Sequence, residues 1–314
     1  MSFFSVLFAL LIEQARPLAR GSAVHTVAQA WVAWCARNLD LGQRSFLWLA
    51  WWVASMIPVM LAALGFYLAD QVGGWPLVLI WSVAVLYLCL GFRQFSFHFT
   101  EVRQALAAGQ MDQALELLAR WQKTDPADIP EQELVGRFIE ASTLAAHRHV
   151  FGVLTWFSIG AALGLGPAGA VFYRVAEMLA RYWRSQPAQQ SGPVVSPELS
   201  SMTAQMWQLT DWLPSRATAV AFAVVGNFED ALEGWRTWSR LEAEDHDGLI
   251  LCAAGGALGL QLPSLAASGS EDAARPIFEP PDNDSLSAVV GLVWRSVVMW
   301  MVLIALLTLA RLLG

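Results

Sequence analysis

Two arginines stand beside breaks in an otherwise apolar chain. Tyr173-Arg174 follows closely on Gly164-Leu165-Gly166-Pro167-Ala168-Gly169, and Arg216 follows Trp212-Leu213-Pro214. A guanidinium beside a glycine-rich break suits a phosphate or carboxylate ligand, because its planar donors pair with such anions two at a time. The competing reading is an arginine whose stem lies along a membrane edge with its head in water. Both stay open at this point. The Gly164–Gly169 run also matches G-x-G-x-x-G by letter. A dinucleotide site needs a strand before those glycines, a helix after them and an acidic residue about 20 positions on. Here an apolar segment precedes them, and we read the run as a helix break. No G-x-x-x-x-G-K-[ST] occurs, and Lys123 is the sole lysine, so ATP would need a site of another kind.

Other polar clusters have structural readings. His147-Arg148-His149 offers two ligands, but a metal site needs three or more converging groups, so no metal is assigned. We read this triplet as an anchor at the edge of the next apolar segment. Glu242, Glu244, Asp245, His246 and Asp247 form an acidic run, read as a solvated loop, with Mg²⁺ as the functional alternative. Asp282 and Asp284 precede the last apolar segment and suit helix capping. Arg295, inside that segment, is costly there without a partner; a carboxylate-binding role and a structural ion pair with Glu140 or Glu177 are both open. Cys35, Cys89 and Cys252 are too scattered for a metal or disulfide framework and read as structural thiols.

The elements that must carry these groups follow from composition. Hydrophobic residues make up 56% of 314 positions and charged ones 14%, with 16 Trp and a mean hydropathy of +0.46. A soluble domain carries about 25% charged residues, so a bilayer partner is indicated. The net charge of −7 argues against nucleic acid, whose binding needs clustered Lys and Arg. Phe46–Ala69 and Trp75–Phe92 are each of spanning length. The turn Asp70–Gly74 joins them, giving an antiparallel transmembrane hairpin. Ser287–Ala310 is a third span. Val150–Phe172 reads as a helix, a break and a second helix from about Ala168, re-entering rather than crossing. Ser2–Ile12 is too short to cross and is read as a retained membrane-associated helix.

Basic residues flank the hairpin on one side, at Arg16 to Arg44 and Arg93 to Arg148, whereas its turn has none. This puts the turn outside and both flanks in the cytoplasm, in a multi-pass bacterial-type inner membrane protein. Helical periodicity at Val102, Leu106, Leu115 and Leu118, with a glycine turn at Gly109, makes the cytoplasmic part helical. Gln186–Pro197 and Leu262–Asn283 read as linkers. The fold class is all-α. The segments are 1–45, a membrane-associated helix and basic stretch; 46–92, the hairpin; 93–149, a cytoplasmic helical segment; 150–286, the broken membrane segment with helices and linkers; and 287–314, the last membrane helix.

Several phrases together resemble the CobD/CbiB family. Gly166 to Arg174 (GPAGAVFYR) resembles that family's G-x-x-G-A-x-x-Y-R. Trp212 to Ala219 (WLPSRATA) is similar to W-[IL]-P-A-R-L-T-A. Ala253 to Leu262 resembles A-A-x-A-G-A-L-G-V-x-L, and Ile139-Glu140 falls at I-E-[SA]. The order is collinear over most of the chain. The resemblance implies a polytopic membrane enzyme, adenosylcobinamide-phosphate synthase, which joins an aminopropanol unit to a corrinoid carboxylate with ATP. It implies Glu140, Tyr173, Arg174 and Arg216 as catalytic, with the arginines holding anions and Glu140 handling a metal or proton. It implies Gly166 and Gly169 at the cofactor, ATP and Mg²⁺ as co-substrates, and a corrinoid or another membrane protein as partner. The chain departs at Val175 to Trp183, where the family reads x-x-N-T-L-D-S-M. Val225 to Leu232 and the segment around Trp156 resemble the AmpE branch, linked to β-lactamase induction, which implies a regulatory membrane protein as the alternative.

Overall fold

A computed structural model describes residues 2–15, 23–40, 44–122, 124–184, 195–242, 244–267 and 278–313, with the backbone alone at 23, 25, 44–46, 92–98, 266–267 and 311–313. In chain order the helices are α1 Ser2–Ala15, α2 Ala23–Leu39, α3 Arg44–Cys89, α4 Phe92–Ala107, α5 Met111–Gln122, α6 Leu134–Ala146, α7 Gly152–Ala162, α8 Ala168–Tyr182, α9 Pro197–Val225, α10 Phe228–Leu241, α11 His246–Leu258, α12 Pro263–Ala267 and α13 Ser285–Leu313. No strand is present among the described residues. One isolated bridge joins Leu260 and Glu279. The fold is all-α, as the sequence implies. The chain forms two compact units: residues 1–91, 152–214 and 304–314, and residues 92–151 and 215–303.

In the first unit, α3 holds 46 residues and would be about 70 Å long if straight, twice a bilayer core. It is not straight. Gly74 has φ 59° and ψ −149°, a conformation open to glycine alone, and the chain reverses there. The Trp81 indole donates to the Ala62 carbonyl at 3.0 Å, and a Cβ on Gly65 would run into the Trp81 ring. Residues 19 apart on a straight helix would be about 28 Å apart. The hairpin is therefore antiparallel, with helix continuing through the expected turn as far as Gly73. Pro76 falls in the first turn of the second arm, where a missing N–H is harmless. Met60, Leu61 and Ile80 are more than 60% exposed, an apolar surface unlike that of a soluble protein. Leu47–Cys89 and Ser285–Ala310 have the length and composition to cross a membrane.

Prolines inside helices release carbonyls, and indoles take them. Pro58 lacks the N–H that would bond the carbonyl of Ala54, and the Trp31 indole donates to that carbonyl at 3.0 Å. Pro214 leaves the carbonyl of Thr210 in the same state, and the Trp156 indole donates to it at 3.0 Å. Each contact joins two helices while satisfying the backbone.

The broken segment is also present. α7 ends at Ala162, Gly164 (φ 77°) and Gly166 (φ 58°) turn the chain, and α8 starts at Ala168. A Cβ on Gly169 would collide with the Trp156 carbonyl oxygen, and one on Gly160 would lie 2.9 Å from the Gly169 nitrogen. The two short helices thus pack back to back on glycine.

The second unit has a core of Val102, Leu106, Leu118, Phe138, Ile139 and Leu251, with the Phe99 and Phe138 rings stacked at 4.9 Å. Gly109, at φ 72°, makes the expected turn between α4 and α5. The glycines of Ala253–Leu262 prove to be packing positions. A Cβ on Gly256 would meet the Asp230 carbonyl of α10 at 2.5 Å, and Gly259 ends α11 at φ 69°. Asp245 caps α11 by accepting from the Gly248 N–H at 3.1 Å. Asp282 accepts from the Ser285 N–H at 2.8 Å and hydroxyl at 2.6 Å. Those two bonds hold its carboxyl below the usual carboxylate range.

Of the Leu262–Asn283 linker, residues 268–277 lie outside the described residues, and the described start departs from that reading. Leu262 is 1% exposed, Pro263 fills the space over Gly136, and Pro263–Ala267 is helical. The Gln186–Pro197 linker lies largely outside the described residues.

Gly169→Ala should destabilise the protein by about 1–3 kcal/mol, because the new methyl meets fixed backbone. Gly291→Ala, on α13 with nothing within 4 Å, should be neutral or stabilising by up to about 1 kcal/mol. Thermal unfolding of the detergent-solubilised variants checks the contrast.

Candidate functional site

The six residues implied by the family resemblance divide between the units. Gly166, Gly169, Tyr173 and Arg174 lie in the first, and Glu140 and Arg216 in the second.

In the first unit, α8 buries Tyr173 completely. Gly152 of α7 makes room for its ring, since a Cβ there would clash with the phenol. The hydroxyl donates to Asp211 Oδ1 of α9 at 2.9 Å, and the Trp207 ring lies 5.4 Å away, centroid to centroid. Tyr173 and Asp211 therefore form a buried, oriented donor–acceptor pair. Arg174 pairs with Glu177 at 3.3 Å, and Arg181 reaches the other oxygen of that carboxylate at 3.6 Å. Glu177, only 6% exposed, is thus neutralised by two guanidiniums, as a buried carboxylate must be. Gly169 is taken up by helix packing. Gly166 packs against Phe66 and lines a cavity of about 670 Å³. None of that cavity's lining residues is charged, so a phosphate there would find no cationic partner.

In the second unit, Glu140 is 5% exposed. Its Oε1 accepts from the Ser264 N–H at 2.7 Å and the Ser264 hydroxyl at 2.6 Å. Its Oε2 faces Arg137 at 3.5 Å. These bonds fix the carboxyl group of Glu140 against Ser264 on one side and Arg137 on the other. Ser264 was not legible as a partner, because it lies in a stretch whose prolines and small residues read as linker. Arg216 is half-buried on α9, and burial pulls its guanidinium below its ordinary value. A charge held partly out of water gains more from an anion than an exposed one does.

After α6 the helix widens to a π turn over His147–Phe151, a distortion often found at functional sites. His147 is fully buried, with Nδ1 2.9 Å from Thr218 Oγ1. Arg148 pairs with Asp247, so the acidic run is partly engaged rather than wholly solvated. Thr218 belongs to the Trp212–Ala219 phrase, which makes His147 the residue that the sequence reading undervalued. The phrase could have flagged Thr218, but nothing local pointed to a partner 71 positions away.

Arg295 pairs with neither Glu140 nor Glu177. Glu140 and Glu177 are held by other groups, and the exposed Arg295 donates from Nε to the Gly291 carbonyl at 3.2 Å. Among the described residues no group of three or more His, Cys, Asp or Glu could hold a metal ion.

An all-α chain with an apolar hairpin, a glycine-packed helix break and arginines beside buried carboxylates is a helical membrane protein with polar clusters on its inner helices. A family profile described as CobD/Cbib protein matches residues 6–293. The chain belongs to the CobD/CbiB family. It is 28% identical to "Cobalamin biosynthesis protein CobD" of Stutzerimonas stutzeri (strain A1501) over 96% of each chain. It is 29% identical to the protein of the same name from Chromobacterium violaceum over 71% of this chain and 69% of that one. No solved structure matches it.

Ser264→Ala should cost about 1.5–3 kcal/mol, the range for a hydrogen bond to a charged group. In the Glu140→Gln background the same change should cost clearly less. A double-mutant cycle on thermal unfolding measures the difference.

Proposed function

We propose that this protein acts in cobalamin biosynthesis as a membrane-embedded amide ligase, joining an aminopropanol unit to a corrinoid carboxylate with ATP. The observation that carries the reading is the family match from residue 6 to residue 293. Both relatives named above bear a cobalamin-biosynthesis name, and one aligns over nearly its whole length. ATP and Mg²⁺ enter as co-substrates. Mg²⁺ asks little of a protein when phosphates supply most of its ligands. Arg216, partly desolvated, binds an anionic group of the nucleotide or of the aminopropanol phosphate. Tyr173 is oriented by Asp211, and Glu140, bonded to Ser264, keeps α6 and α12 in register. Arg174 acts through Glu177, positioning α8.

The protein sits in the inner membrane as a multi-pass protein. Exposed Trp48 and Trp52 at one end of the first α3 arm and Trp75 at the hairpin tip suit the two interfacial belts. From Trp52 to Gly74 the helix rises about 33 Å, one bilayer core. On α13, exposed Trp294 and Arg295 precede exposed Val298, Val302, Leu306 and Leu309. This favours a membrane edge at Arg295, with 296–313 crossing over about 27 Å. A guanidinium at that edge reaches water by snorkelling, and needs no carboxylate.

The test is ligation by the purified full chain, supplied with adenosylcobyric acid, aminopropanol phosphate, ATP and Mg²⁺ beside an active family member. The expected result is an amide product whose formation falls by roughly 10- to 100-fold in Arg216→Ala, the loss of one charged hydrogen bond. No product while the control is active overturns the reading.

A further inference from the structure

The first unit contains a cavity of about 670 Å³ between the second arm of α3, α7, the start of α1 and the end of α13. That is within the range of about 300–1,000 Å³ typical of small-ligand sites. Val78, Ser82, Ser158, Ala162, Gly166 and Thr308 are among the residues facing it, and no lining residue carries a charge. Two of the five lining hydroxyls add less polarity than they suggest. Ser158 donates to the Leu154 carbonyl at 2.8 Å, and Thr308 to the Ile304 carbonyl at 2.7 Å. Both protons are spent on their own helices. A polar occupant would give up its hydration with little to replace it, whereas an alkyl chain gives up none.

We propose that this cavity holds an acyl chain of a membrane phospholipid. The uncharged wall matches an uncharged chain and gives the charged headgroup no partner, so the headgroup stays at the membrane surface. Two of the walls, the α3 arm and the end of α13, belong to segments with the length and composition to span a bilayer, which puts lipid chains within reach. Gly166, with φ 58°, turns the chain without adding a side chain to the cavity. The inference rests on the membrane placement above and is independent of the ligase reading.

The experiment uses the full chain in nanodiscs containing phosphatidylethanolamine with a photoreactive diazirine at mid-chain, followed by mass-spectrometric mapping. A second arm uses palmitate carrying the same group. Ala162→Phe and Val78→Phe fill the cavity from two different helices, and thermal unfolding selects variants that remain folded. The expected result is phospholipid label within residues 157–166 that is lost in the folded variants, while label at Met60 and Leu61 on the outward face persists. Label on the outward face alone, label unchanged in the filled variants, or label from palmitate only would each overturn the proposal. Absence of label at Met60 and Leu61 as well would overturn the membrane placement itself.

Discussion

A carbonyl left without a partner in apolar surroundings is the constraint around which the first unit is arranged. A buried backbone group without a partner costs about 1–3 kcal/mol. Whole domains are stable by only about 5–15 kcal/mol. The chain nevertheless places Pro58 and Pro214 inside long helices. It offsets both with indole donors from other helices, Trp31 to Ala54 and Trp156 to Thr210. The bonds thus tie α2 to α3 and α7 to α9. Tryptophan suits this role because it brings one donor and no acceptor on a large apolar body.

The polar pair of the first unit hangs on the second of these ties. α7 reaches Thr210 through Trp156, and α8 reaches the next residue, Asp211, through Tyr173. Two helices can address neighbouring positions of α9 only if they lie against each other. Gly152, Gly160 and Gly169 permit that approach, and the Gly164–Pro167 break supplies the reversal. The phrase around Pro214 then has a physical basis. Its proline frees the carbonyl that Trp156 takes, and its Thr218 meets the π turn at His147. Arg216 lies two positions from Thr218 on the same helix, so the two side chains point apart.

Much of this was legible in the sequence where the cause is local. The hairpin turn, the break before α8, the Gly109 turn and the Asp282 cap follow from residues that tolerate few backbone conformations or bond within three positions. The all-α class followed from apolar runs without strand-like alternation. Long-range pairing was not legible. Ser264 reaches Glu140 from a stretch whose prolines and small residues imitate a linker, although its Leu262 is core. The bond from His147 to Thr218 was not legible because the partner lies far along the chain. The ion pair open to Arg295 did not form, because both candidate carboxylates had nearer arginines at helical spacing: Arg137 three residues before Glu140, and Arg174 and Arg181 beside Glu177. A family resemblance pointed to Tyr173 and Arg216 but could not show that an indole on α7 holds the helix that carries Asp211.

Trp156 supplies the donor that Pro214 takes away from the Thr210 carbonyl. A double-mutant cycle in lipid nanodiscs measures it, with Trp156→Phe made in the natural chain and in Pro214→Ala, where the substitution restores the N–H that the Thr210 carbonyl lacks. Trp156→Phe should cost about 1–3 kcal/mol in the natural chain and markedly less beside Pro214→Ala. An equal cost in both backgrounds would mean that Trp156 matters only as bulk, and would contradict the account.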